Sequence, residues 1–140
     1  KEKLSDVDVY LGEPNEQVRE SMRAMMRGEG FRKMRTFARM DDLLNAIKET
    51  PPDLLIAADD IDPGLFDTIR DIRHFKIGRN PFIMITLMVR AESDDAVKRA
   101  VLQLRELQYI RIAEEKVAID DIDALRRLYT LLGMHEQVRG

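Results

Sequence analysis

Runs of apolar residues alternate along this chain with stretches whose apolar positions recur at helical spacing. Residues 7–11 read as a short first strand ending at Gly12, Glu13 and Pro14. Asn15 then caps a helix whose apolar positions Val18, Met22, Met25 and Met26 share one face, closed by Gly28 and Gly30. Residues 33–38 predict a weaker second strand. Met40, Leu43, Leu44 and Ile47 mark a second helix, stopped by Pro51 and Pro52. Residues 54–58, LLIAA, form an unbroken apolar run that suits a strand covered on both faces. Leu65, Ile69 and Ile72 predict a third helix running to about Phe75, and residues 82–88 a fourth strand. Ser93, followed by Asp94 and Asp95, is placed to cap a fourth helix carrying Val97, Ala100, Val101 and Leu104. Ile119, Ile122, Leu125, Leu128 and Leu132 form a last stripe, closed by Gly133, with residues 134–140 as a tail.

One segment admits two readings. Tyr109, Ile110, Arg111 and Ile112 fit a fifth strand, but LQLRELQ runs into them without Gly or Pro and has helical propensity. A single helix over residues 93–115 is the rival. Arg111 would interrupt its apolar stripe, which favours the strand.

Strand–helix alternation with short turns predicts a parallel sheet with helices on both faces, in one domain spanning residues 1–140. In such a sheet, ligands gather outside the carboxyl ends of the strands, where the strand order reverses. The third strand breaks there into Asp59, Asp60 and Asp62 before Pro63 and Gly64. These acids are expected to converge with Glu13. An acidic loop capping the next helix is the plainer alternative.

Composition narrows the classes. The chain has 140 residues, 44% of them hydrophobic, which is enough for a core without staples. Lys and Arg total 23 against 26 Asp and Glu, a formal charge of -3 that gives no electrostatic case for general nucleic-acid binding. No Cys and two His argue against disulfides and a zinc site. No apolar run reaches membrane-spanning length and KEKLSDVD carries no signal-peptide core, so a soluble, cytoplasmic protein is expected.

Three motifs, in order and spacing, resemble a response-regulator receiver (CheY-like) domain: YLGEPNEQVRESM, PPDLLIAADDIDPG and PFIMITLM. The resemblance implies a flavodoxin-like, doubly wound α/β fold, with a parallel five-stranded sheet of order 2-1-3-4-5 flanked by helices. It also implies a phosphoacceptor Asp after the third strand, two acids holding Mg2+, a hydroxyl on the fourth strand and a Lys on the fifth. Carried over, the phosphoacceptor falls on Asp59 when counted from Pro63 and on Ala58 when counted from Asp53, with Asp60 the second choice. The metal set falls on Glu13, Asp59 and Asp60, and the switch hydroxyl on Thr86. Tyr109 takes the place of the switching aromatic. The acidic pair departs from the pattern, because its second member is Pro14, so Mg2+ would be held weakly. The Lys-Pro pair falls on Ile112 and Ala113, with Arg111 and Lys116 the nearest cations.

Positive charge must screen an anionic phosphoryl group, and these losses weaken that screen. The resemblance therefore implies a two-component signalling receiver of atypical kind, acting through protein–protein contacts and not as an enzyme beyond self-phosphorylation and dephosphorylation at an aspartate. Two readings stand beside it. One is a working phosphoacceptor that takes a phosphoryl group from a histidine kinase at Asp59 with Mg2+. The other is a flavodoxin-like small-molecule binder. The implied partners are a histidine kinase or another signalling protein, with no membrane and no nucleic acid. A second copy could pair through helix 4, strand 5 and helix 5, whose cations include Lys98, Arg105, Arg111, Arg126 and Arg127.

Overall fold

The computed structural model describes residues 4–61, 63–90 and 92–113. Within them, a turn of 3-10 helix (Leu4–Asp6) leads into a strict alternation of strands and helices. The order is β1 (Asp8–Gly12), α1 (Glu16–Glu29), β2 (Lys33–Phe37), α2 (Met40–Glu49), β3 (Leu54–Ala58), α3 (Leu65–Arg73), β4 (Met84–Met88), α4 (Asp95–Glu106) and β5 (Arg111–Ala113). The five strands form one parallel sheet in the order β2-β1-β3-β4-β5. The fold is thus the doubly wound α/β arrangement expected from the sequence. The last helical stripe, with Arg126 and Arg127, and the tail lie outside the described residues.

β3 is central because each of its five residues is fully buried. Successive side chains of a strand point to opposite faces. Leu54, Ile56 and Ala58 accordingly enter one core, with Val9, Leu11, Met22, Met26 and Met88. Leu55 and Ala57 enter the other, with Leu43, Ile47, Leu65, Ile69, Leu87, Val101 and Leu104. Met22 and Met26 of α1 are therefore core, with Met25 partly buried against them. Burying a Leu or Ile side chain stabilises by about 1.5–3 kcal/mol, so this strand anchors both layers. Gly12 permits a close approach beside it, since a Cβ there would lie 2.7 Å from Ile61 Cδ1 and 2.9 Å from Leu43 Cδ2.

The helix ends explain where the segment before β5 stops being helical. Three helices close with paired Schellman hydrogen bonds and a residue of positive φ. In α1 the bonds run from Gly30 N–H to Arg27 O and from Phe31 N–H to Met26 O. In α3 that position is Phe75, with φ of 60°, and in α4 it is Gln108, also at 60°. Gln108 N–H donates to Arg105 O and Tyr109 N–H to Leu104 O. The stop that sequence would mark with Gly is made by Gln108, so the single helix over residues 93–115 does not form. Gly28 lies inside α1, not at its end. Asp94 rather than Ser93 caps α4, accepting from Val97 N–H at 2.8 Å.

An L side chain in the left-handed region costs about 1–2 kcal/mol, and glycine avoids that cost at some loss of chain entropy. Gln108→Gly is therefore expected to stabilise the protein by roughly 1 kcal/mol. Urea unfolding checks it, with a higher midpoint at unchanged slope.

Candidate functional site

At the end of β3 the ladder to β4 runs one step further, because Asp59 N–H donates to Met88 O at 3.0 Å. The Asp59 side chain is only 2% exposed. A buried carboxylate is tolerated only when charges and donors surround it. Three groups do so, all from the segment after β4. The Ser93 hydroxyl donates to Asp59 Oδ2. Arg90 N–H donates to the same oxygen at 3.4 Å. The Arg90 guanidinium then bridges both acids, with Nε 3.5 Å from Asp59 Oδ1 and Nη1 3.4 Å from Asp60 Oδ2. The Arg90 side chain is 37% exposed, so it covers the buried carboxylate from the solvent side.

Glu13 is held by different partners. It is fully buried, and its Oε2 accepts from Asn15 N–H at 2.8 Å. Its backbone N–H bonds Phe37 O at 2.9 Å, and Arg19 Nη1 donates to its carbonyl at 2.9 Å. Glu13 therefore braces the turn into α1, whose cap Asn15 accepts from Val18 N–H at 3.0 Å.

Thr86 and Tyr109 stand away from Asp59. Thr86 pairs with Ile56, three residues upstream of Asp59 on β3, about 10 Å at the usual rise of a strand. Its Oγ1 is buried with no hydrogen-bond partner among the described residues. Continuing the register past Ala58 and Met88 brings Val89 alongside Asp59, so an apolar residue stands where the resemblance places a hydroxyl. The PFIMIT motif is displaced because β4 runs two residues beyond Thr86.

Tyr109 precedes β5, at the opposite end of the sheet from the acids. Its hydroxyl is 2.7 Å from His74 Nε2, with the two rings edge to face. Arg73 donates from Nε and Nη2 to Tyr109 O, at 3.2 and 2.9 Å, and from Nη1 to Pro81 O at 2.8 Å. Burial pushes the Arg73 pKa below its ordinary value, while Tyr109 acts in the other direction. These contacts tie Tyr109 to the end of α3.

A weakly held Mg2+ is the expectation at Glu13, Asp59 and Asp60, and of these Asp59 Oδ1 is buried without a hydrogen-bond partner among the described residues. Pro14 has no ligating group, Asp59 meets a hydroxyl and a guanidinium, and Glu13 Oε2 takes a backbone N–H. No group of three or more His, Asp or Glu among the described residues is placed to hold a metal. Asp62 lies outside those residues, as does Lys116. Of the expected interface cations, Lys98 and Arg105 are exposed on α4, and Arg111 opens β5.

The solved structures similar to this chain include the chemotaxis protein CheY4 of Vibrio cholerae. That likeness has 13% identity and a TM-score of 0.66, covering 90% of this chain and 98% of that one. The chain has the CheY-like receiver fold. A second likeness is to the beryllofluoride-activated NtrC receiver domain, at 21% identity and TM-score 0.54, covering 91% of this chain and 92% of that one. No protein-family profile and no curated sequence matches. Among the described residues, no helix of this receiver fold is long and apolar enough to cross a membrane.

Sequence reasoning missed Arg90 and assigned Ser93 a different task. Following the apolar run to its end at Met88 would have found both, because the residues just beyond a strand reach the neighbouring strand's end. If the Asp59–Arg90 contact holds the site together, the two residues are energetically coupled. Arg90→Ala is expected to cost at least about 1 kcal/mol more in the wild-type background than beside Asp59→Asn. A double-mutant cycle in urea measures this.

Proposed function

We propose that this chain is an atypical receiver module of two-component signalling, working through protein–protein contacts without phosphoryl transfer at Asp59. The observation that supports this reading is the occupied carboxylate. An attacking carboxylate needs a free oxygen facing the donor, and a cation left to screen the incoming anion. Asp59 Oδ2 takes two hydrogen bonds, and Oδ1, which accepts none, lies 3.5 Å from Arg90 Nε, whose guanidinium also reaches Asp60. Pro14 and Val89 add to it, as neither supplies a donor or ligand where phosphoryl chemistry needs one. The implied partners are a histidine kinase or other signalling protein that reads the folded surface.

Incubation with acetyl phosphate and Mg2+, followed by intact-mass measurement, tests the reading. Unchanged mass is expected, for the wild type and for Asp59→Asn alike. A phosphoryl adduct lost in Asp59→Asn would establish the working phosphoacceptor instead.

A second copy of the chain is a further partner on this reading. α4 presents Lys98, Arg105 and Glu106 beside Leu102 and Leu107, each of the two leucines 50% exposed. Charges of both signs around an apolar centre suit a two-fold contact. Sedimentation is expected to give a dimer without phosphorylation, weakened when Lys98 and Arg105 are reversed to Glu. A monomer at all concentrations would remove this interface.

A further inference from the structure

Positive charge is concentrated in one short stretch of this acidic chain. Residues 21–40 carry Arg23, Arg27, Arg32, Lys33, Arg35 and Arg39 against Glu29 alone, a local net of +5 in a chain of net -3. The remaining residues therefore carry -8. All six cations are exposed. They lie on the second half of α1, on β2 and on the turns flanking it.

β2 is also an edge strand, bonded on one side to β1. Phe37 O accepts from Glu13 N–H, so the peptide groups of Lys33, Arg35 and Phe37 face β1. Those of Met34 and Thr36 face outward, and among the described residues nothing pairs with them. Beside the strand opens a groove of about 360 Å3, lined by Tyr10, Arg32, Lys33, Arg35 and Thr50, with Asp8 its one carboxylate. Arg35 is set in place there, its guanidinium carbon 5.5 Å from the Tyr10 ring centre and 5.2 Å from that of Phe37.

Cations on an edge strand repel the same edge of another copy. The same charges admit a strand of opposite sign. We propose that the outer edge of β2 is a docking strand for an extended acidic segment of a partner protein. The segment adds to the sheet through the peptide groups of Met34 and Thr36. Acids at alternate positions meet Lys33 and Arg35 on one face, and the residues between them lie over Met34 on the other. An overall negative chain with an open strand edge suits a peptide better than a nucleic acid, whose phosphates would meet the surrounding acids. The surface works whether or not Asp59 can be phosphorylated.

The probe is a short synthetic peptide alternating Glu with Val, titrated by fluorescence anisotropy and followed by amide hydrogen exchange. Binding that weakens with salt and protects the Met34 and Thr36 amides is the expected result, while a Lys–Val peptide does not bind. Reversing Lys33 and Arg35 to Glu is expected to weaken binding at least about tenfold. Thr36→Pro removes an outward donor but keeps the charges, and a similar loss is expected. Exchange on the wild type decides the matter even if that variant unfolds. Absent binding, binding without protection of β2, indifference to charge reversal, or binding of DNA or RNA but not the peptide would each overturn the proposal.

Discussion

The burial of β3 on both faces is the constraint from which the rest follows. A strand with helices above and below must be apolar at every position, and LLIAA is. Polar chemistry can begin only where the strand ends, which places Asp59 and Asp60 at the mouth of the sheet. Asp59 is still mostly buried there, so its charge needs partners at once. The segment after β4 supplies them because β4 ends level with β3, at the Ala58–Met88 pair. Arg90 and Ser93 are thereby delivered to the same carboxylate, and Ser93 stands one residue before the cap of α4. Asp59 is thus hydrogen-bonded to residues of the β4–α4 connection, and Asp60 joins them through its ion pair with Arg90.

The Arg90 guanidinium lies within 3.5 Å of Asp59 Oδ1 and 3.4 Å of Asp60 Oδ2, so a side chain of the protein itself stands between the two acids. A guanidinium is always charged and covalently tethered, so Arg90 offsets part of the charge of Asp59 and Asp60. The cations along β2 give that edge of the sheet a positive charge that the net charge of the chain conceals.

Much of the fold was legible because apolar periodicity reports burial directly. The alternation, the covered third strand and the capping Asn15 all follow from local pattern. The end of α4 was less legible, since Gln108 carries no glycine signal and reveals its backbone only through the hydrogen bonds around it. The site was harder still. Thr86 looked like the functional hydroxyl because the letters before it matched a motif. Strand register is set by pairing across the sheet, and the strand runs two residues further. Glu13 was expected to converge with the Asp59 cluster, and in the structure its Oε2 accepts from Asn15 N–H and braces the turn into α1. Arg90 carried no motif, and only its position past the end of β4 marks it.

The central claim is that the charge of Asp59 is offset from within. The most direct test is the amide NMR spectrum of the wild type with and without Mg2+ and beryllofluoride, a mimic of the phosphoryl group. The account predicts unchanged resonances for Asp59, Asp60, Arg90 and Ser93. Saturable shifts at those four residues would contradict it, because they would mean that the carboxylate exchanges Arg90 for an external cation and an incoming anion.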